Sequence, residues 1–220
     1  MNVSERATIH AALGDPGRLR IVDQLLLGDR TFQELAAASG LPGNLAAHHL
    51  NVLQEAGLIE RRVSDGDHRR RYISLRHDRL EGIVLTPGHL TPGFVVFVCT
   101  HNSARSQFAA RLWNGSTGSA ADSAGTEPAP RVHPLAVEVA HEFGVDLSSA
   151  TPKALAAIRQ TPDLVVSVCD RAHESTRDWS DASLHWSIPD PVADGRVEAF
   201  RAAFAQIAAR VDRLARAQQH

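Results

Sequence analysis

Phe94–Gln107, reading FVVFVCTHNSARSQ, constrains this chain more than any other stretch. Apolar β-formers from Phe94 to Val98 lead into Cys99, a polar loop runs to Arg105, and Ser106 to Trp113 reads as a helix. A buried strand thus ends on a cysteine, and a helix begins where the loop closes. Backbone N–H groups at a helix start point into such a loop, and the helix dipole adds partial positive charge, so the loop is an anion cradle. A cysteine held there is stabilised as the thiolate, the form that attacks at neutral pH. Arg105 can fork two hydrogen bonds to an oxyanion above the sulfur. The stretch predicts a loop that binds a tetrahedral oxyanion and attacks it.

The plainer reading, a buried strand cysteine and a surface arginine, leaves the agreement of strand, spacing, arginine and helix unexplained. The segment resembles the Cys-x5-Arg-Ser loop of the low-molecular-weight protein tyrosine phosphatase family, which includes the thiol-coupled arsenate reductases. Cys99, Asn102, Ser103, Arg105 and Ser106 stand at the family's positions. The resemblance implies a nucleophilic Cys99 and an oxyanion held by Thr100, His101, Asn102, Ser103, Ala104, Arg105 and Ser106.

At 220 residues the chain has room for one large domain or two small ones. Its formal net charge of −2 does not announce a nucleic-acid partner, and residues 1–80 hold 11 Arg against 10 Asp and Glu, so any such signal must be local. Two cysteines exclude a disulfide scaffold and suit a reducing cytosol. Residues 1–10 lack the basic start and apolar core of a secretory signal. The apolar run at Phe94–Cys99 falls far short of the ~20 residues that cross a bilayer. A cytoplasmic protein without membrane attachment, metal or bound cofactor is expected.

Before that loop, Ala7–Leu13 and Arg18–Leu27 read as helices broken at Gly14-Asp15-Pro16-Gly17. Thr31 with Glu34 is a capping box opening a helix through Ala38. After a turn at Ser39–Gly43, a further helix, capped by Gly43 or Asn44, runs to about Glu55. That is the spacing of a helix-turn-helix. Leu58–Val63 and Arg69–Leu75 alternate apolar and charged residues around the turn Ser64–Asp67, the pattern of a hairpin. Arg61 and Arg62 lie on one limb and Arg69, Arg70 and Arg71 on the other, placed as a wing to touch phosphates.

Residues 5–76 resemble the ArsR family of winged-helix repressors, most of all in FQELAAASGL and HHLNVLQEAGLIERR. The resemblance implies a recognition helix at about Gly43–Glu55, presenting Asn44, Leu45, Ala47, His48 and His49 to a double-stranded operator bound by a homodimer. His48 and His49 either touch bases or phosphates or are surface histidines. The cysteine pair of many arsenic-sensing members is absent, Thr31 and Gln33 standing there, so arsenite sensing at that site is not expected.

Residues 81–93 read as a linker, with 1–80 and 94–220 as the two domains. From Phe94 strands and helices alternate: a weak strand Ser119–Gly125, a helix Pro134–Phe143, a helix Pro152–Arg159, and a buried strand Leu164–Val168. A strand Leu184–Ser187 and a long helix Arg196–Ala217 complete it. The order predicts a winged helix-turn-helix followed by an α/β doubly wound parallel sheet, binding ligand at the carboxyl ends of its strands.

Oxyanion transfer expels a poor leaving group that must be protonated. Asp190, between Pro189 and Pro191, resembles the family's general-acid Asp-Pro, and Trp186 just before it looks more like the arsenate reductases than the phosphatases. Cys169 ends a strand, as the second cysteine of thioredoxin-coupled reductases does, but no third cysteine follows. Either Cys99 and Cys169 form a disulfide that an external reductant opens, or a small thiol attacks arsenylated Cys99 directly. A purely structural Cys169 is the alternative. The expected function is a DNA-binding regulator fused to an arsenate reductase served by an external thiol of thioredoxin, mycothiol or glutathione type. A phosphatase, or an oxyanion-sensing repressor without turnover, is the rival reading.

Overall fold

The computed structural model describes residues 2–80, 92–176 and 182–217, so the expected linker lies outside the described residues as far as position 91. The chain divides into two compact units. In the first, α1 (Val3–Leu13) and α2 (Pro16–Leu25) precede β1 (Arg30–Thr31), α3 (Phe32–Ser39) and α4 (Gly43–Glu55). A hairpin of β2 (Ile59–Val63) and β3 (Arg71–Leu75) follows.

Caps set the helix starts. Asn2 with Glu5 and Thr31 with Glu34 form capping boxes, and Asp15 with Pro16 opens α2, so α1 and α2 begin before the first apolar residues of their stripes. Gly40, at φ +66, ends α3 in the left-handed conformation that makes the turn into α4. Pro42 occupies the cap position of α4, where no side chain caps, so Asn44 lies inside the helix. β1 joins the hairpin in the antiparallel order β1-β3-β2. Ile9, Ile21, Val22, Leu35, Leu50, Leu53, Leu58 and Ile73 form the core beneath. This unit is a winged helix-turn-helix.

The second unit runs β4 (Phe94–Cys99), α5 (Arg105–Ser116), β5 (Ala120–Gly125), α6 (Pro134–Glu142), β6 (Leu164–Ser167), α7 (Asp170–Ser175), β7 (Ser183–His185), α8 (Pro191–Asp194) and α9 (Val197–Arg216). Its strands are all parallel, in the order β5-β4-β6-β7. Every residue of β4 is buried, the physical reason its sequence is an unbroken apolar run. Phe97 of β4 meets Trp113 of α5 at 6.2 Å and Trp186 at 5.7 Å between ring centres. β4 has β5 on one side and β6 on the other, so the strand order reverses at β4 and a crevice opens at its carboxyl end, where Cys99 sits.

Three elements differ from expectation. Pro152–Arg159 is not an α-helix; only Leu155–Ala157 makes a 3-10 turn. The Lys153 carbonyl accepts the Gly125 N–H at 2.8 Å, and the Lys153 N–H donates to Asn102 Oδ1 at 2.9 Å. Backbone groups that a helix would use are committed to the sheet edge and the loop. α7 and α8 are additions: Cys169 Sγ caps α7, a signal absent from ordinary cap chemistry, while Asp190 with Pro191 caps α8.

Candidate active site

Cys99 is 2% exposed at the end of β4. Its Sγ accepts the Asn102 N–H at 3.1 Å and lies 3.0 Å from Ser106 Oγ. Asn102 has φ +49, a conformation asparagine tolerates better than most residues. Its Oδ1 accepts from Lys153 N–H and from Gln107 Nε2 (3.1 Å), which fixes the amide orientation, and its Nδ2 donates to Ser106 Oγ at 2.8 Å. The serine oxygen accepts from Asn102 and shares a further hydrogen bond with Cys99 Sγ. The sulfur is thus met by the Asn102 N–H and by the Ser106 hydroxyl.

Arg105, 5% exposed at the start of α5, donates from Nη1 to the Ile188 carbonyl at 2.9 Å and pairs through Nη2 with Asp190 Oδ2 at 3.0 Å. Burial alone would lower the guanidinium's pKa; Cys169, Cys99, Asp190 and Asp170 more than offset this, and it is held above its ordinary value. Asp190 is partly exposed, and its Oδ1 caps α8 through the Val192 N–H at 3.0 Å. Sequence-distant Arg105 and Asp190 are thus brought together.

The remaining loop residues are fastened from behind. Thr100, His101 and Ser103 offer carbonyls to the N–H groups of Glu127 (2.8 Å), Ala129 (2.9 Å) and His133 (2.9 Å). Ala104 precedes α5, whose first turn has no side-chain cap. A Cβ added to Gly125 would fall 2.7 Å from the Thr100 carbonyl oxygen, so only glycine fits there without a shift. Cys169 follows Val168, whose N–H bonds the Val98 carbonyl of β4 at 2.7 Å. Its Sγ lies 3.4 Å from Thr100 Oγ1 and accepts the Ala172 N–H at 3.4 Å. Burial pushes the Cys169 thiol up, partly opposed by Arg105. Both cysteines are free.

In the first unit, Asn44, Leu45 and His48 are exposed on α4 and Ala47 is half-buried. His49 corrects the expectation of an exposed residue: it is 6% exposed, packed on Gly17, with Nε2 3.7 Å from Asp15 Oδ1. It follows Ala46 and precedes Leu50 on the core side of the helix, which the His-His pair concealed. Arg61, Arg69 and Arg71 are exposed and Arg62 and Arg70 half-buried. Arg61 donates to Asn51 Oδ1 at 2.9 Å, tying the wing to α4. Sequence reasoning missed Gln107, which bonds Asn102 from the first turn of α5, and Gly125, His133 and Lys153, which act on the loop through long-range contacts with no local signature. Among the described residues no cluster of His, Cys, Asp and Glu could hold a metal, and no helix is long and apolar enough to cross a membrane.

A parallel α/β sheet whose inner strand ends on a buried cysteine, with a buried arginine opening the helix after the loop, defines a cysteine-loop domain, here preceded by a winged helix-turn-helix. The model of the low molecular weight phosphotyrosine protein phosphatase family matches residues 94–220, and that of the bacterial regulatory proteins of the arsR family matches residues 15–61. The chain belongs to the low molecular weight phosphotyrosine protein phosphatase family, with an arsR-type segment at its amino-terminal side. It is 34% identical over 128 residues to the glutaredoxin arsenate reductase of Synechocystis sp., covering 54% of this chain and 94% of the relative. An arsenate reductase solved in its phosphate-binding state is 31% identical with a TM-score of 0.51, covering 56% of this chain and 96% of that one. The arginine phosphatase YwlE of Geobacillus stearothermophilus is 25% identical with a TM-score of 0.50, over 58% and 94% of the two chains.

Proposed function

We propose that the protein is a DNA-binding regulator joined to a thiol-dependent arsenate reductase. The observation that carries the enzymatic half is the pair of hydrogen bonds that Cys99 Sγ makes, with the Asn102 N–H and the Ser106 hydroxyl, beside the Arg105–Asp190 ion pair. Arsenate enters the loop, and Arg105 turns its guanidinium to the oxyanion while loop N–H groups take the remaining charge. Cys99 Sγ attacks arsenic; Asp190, released from Arg105 and protonated before the attack, gives its proton to the departing hydroxyl, which leaves as water, and a thioester of As(V) remains. A second thiol then attacks Cys99 Sγ. An S–S bond forms, the S–As bond breaks with its electron pair on arsenic, and arsenite departs as As(III). Cys169, two positions past the β4–β6 pairing, is one source of that thiol; an external one is the other.

In the regulatory half, α4 presents Asn44, Leu45, Ala47 and His48 to operator bases, while Arg61, Arg62, Arg69, Arg70 and Arg71 hold phosphates. The arsR-type segment and the hairpin behind the helix-turn-helix support this. A homodimer on a two-fold operator, in the cytoplasm, completes the proposal.

The test is arsenate-dependent oxidation of a thiol by the wild type and Cys99→Ser. The serine variant is expected to fall to background; equal rates reject the catalytic assignment. Phosphatase activity is the second reading, favoured by the family match and the arginine-phosphatase likeness. It is told apart by hydrolysis of an aryl phosphate with no thiol present.

A further inference from the structure

A cavity of about 810 Å³ adjoins the Cys99 loop, walled by His101, Ser103, Glu127, Arg131, His133 and Val192. That is the size of an organic ligand's pocket, far more than one arsenate fills. Its wall is rigid: the bonds from Glu127, Ala129 and His133 clamp it to the loop, and Pro128, Pro130 and Pro134 stiffen it. The two imidazoles are in opposite forms. His101 Nδ1 lies 3.0 Å from the Glu127 carbonyl, which only accepts, so Nδ1 donates and in the neutral ring the lone pair is on Nε2. His133 Nδ1 accepts the Leu135 N–H at 3.2 Å, so its neutral ring is protonated at Nε2. Exposed Glu127 and Arg131 add one carboxylate and one guanidinium to the same wall.

We propose that this cavity seats the reducing thiol itself, a low-molecular-weight thiol bearing both an ammonium and a carboxylate, with His101 Nε2 taking its proton. The inference rests on the arsenate-reductase reading. Two facts favour a small thiol over a relay through the protein: the Cys169 sulfur is engaged in capping α7, and the chain has no third cysteine to pass oxidation outward. The thiol proton moves to His101, and the thiolate attacks Cys99 Sγ. The S–As electron pair stays on arsenic, which leaves as arsenite. A second equivalent of the thiol then splits the mixed disulfide, releasing the oxidised thiol dimer and Cys99 thiolate.

Arsenate-dependent turnover is measured with glutathione, 2-mercaptoethanol, the acidic trifluoroethanethiol and thioredoxin, each variant being checked for heat stabilisation by phosphate. Glu127→Gln with Arg131→Ala raises the glutathione KM about tenfold while leaving that for 2-mercaptoethanol in place. His101→Gln slows glutathione about tenfold more than trifluoroethanethiol, because a thiol already ionised needs no base. A purely structural His101 would slow both alike. An unchanged glutathione KM in the double variant, equal slowing of both thiols in His101→Gln, or turnover with thioredoxin alone overturns the proposal and leaves the reductase reading intact. If no reductant supports Cys99-dependent turnover, the reductase reading fails with it.

Discussion

Asn102 carries more of the loop than its neighbours do. Its backbone turns left-handed, its N–H meets Cys99 Sγ, and its amide joins Ser106, Gln107 and Lys153. Asn102→Ala keeps the strained φ, worth about 1–2 kcal/mol, and loses the side-chain bonds, so kcat should fall by about 100-fold as the nucleophile loosens. Asn102→Gly relieves the strain but not the lost bonds, and recovery of stability without recovery of kcat is the expected outcome. Gly125→Ala tests the close approach beneath the loop. Its Cβ meets the Thr100 carbonyl, a backbone atom that cannot swing aside, so arsenate-dependent turnover should drop although Cys99 and Arg105 remain. Cys99, Asn102, Arg105 and Ser106 were legible in the sequence because their geometry is local, one strand end running into one helix start. Lys153 and Gly125 were not, because each matters only through a contact with a loop far away along the chain.

At the scale of elements, the starts of helices were readable and their competition with tertiary contacts was not. Thr31 and Glu34 announced α3, and Thr31→Ala should cost about 1 kcal/mol, measurable by denaturant unfolding of the amino-terminal unit. Residues 152–159 carry helical residue types, yet Lys153 gives both its backbone groups to β5 and the loop. The Asp15 carboxyl capping α2 is held below its ordinary value, chiefly by the Arg18 N–H and further by His49. With the folded value the lower one, its contribution is complete above the unfolded carboxylate range and is lost as pH falls through the folded value. Asp15→Ala should therefore flatten the loss of helicity on acidification between about pH 5 and 3. In the hairpin, replacing Arg69, Arg70 and Arg71 together by Ala should weaken operator binding and reduce the slope of log K against log salt by up to about 2.7.

For the whole molecule, two units with separate cores predict two separable responses. Phosphate at about 100 times its Kd should stabilise the carboxy-terminal unit by about 2.7 kcal/mol, and operator DNA should stabilise the other, as two shifts in a calorimetric scan. If arsenate or phosphate also alters operator affinity, the two sites are coupled, and DNA must alter oxyanion affinity by the same factor. That result would favour a sensing role alongside turnover. The sequence displayed both units because each has its own strong pattern, the capped helices of one and the unbroken β4 run of the other. Lys153 offers a practical window on all this. It is the sole lysine of the chain, its ammonium lies 2.7 Å from Asp122, and its amide reaches the knot around Asn102. An acylating or isotope-tagged probe for side-chain amines thus reports from one spot, beside the Asp122 carboxylate of β5, without any engineered label.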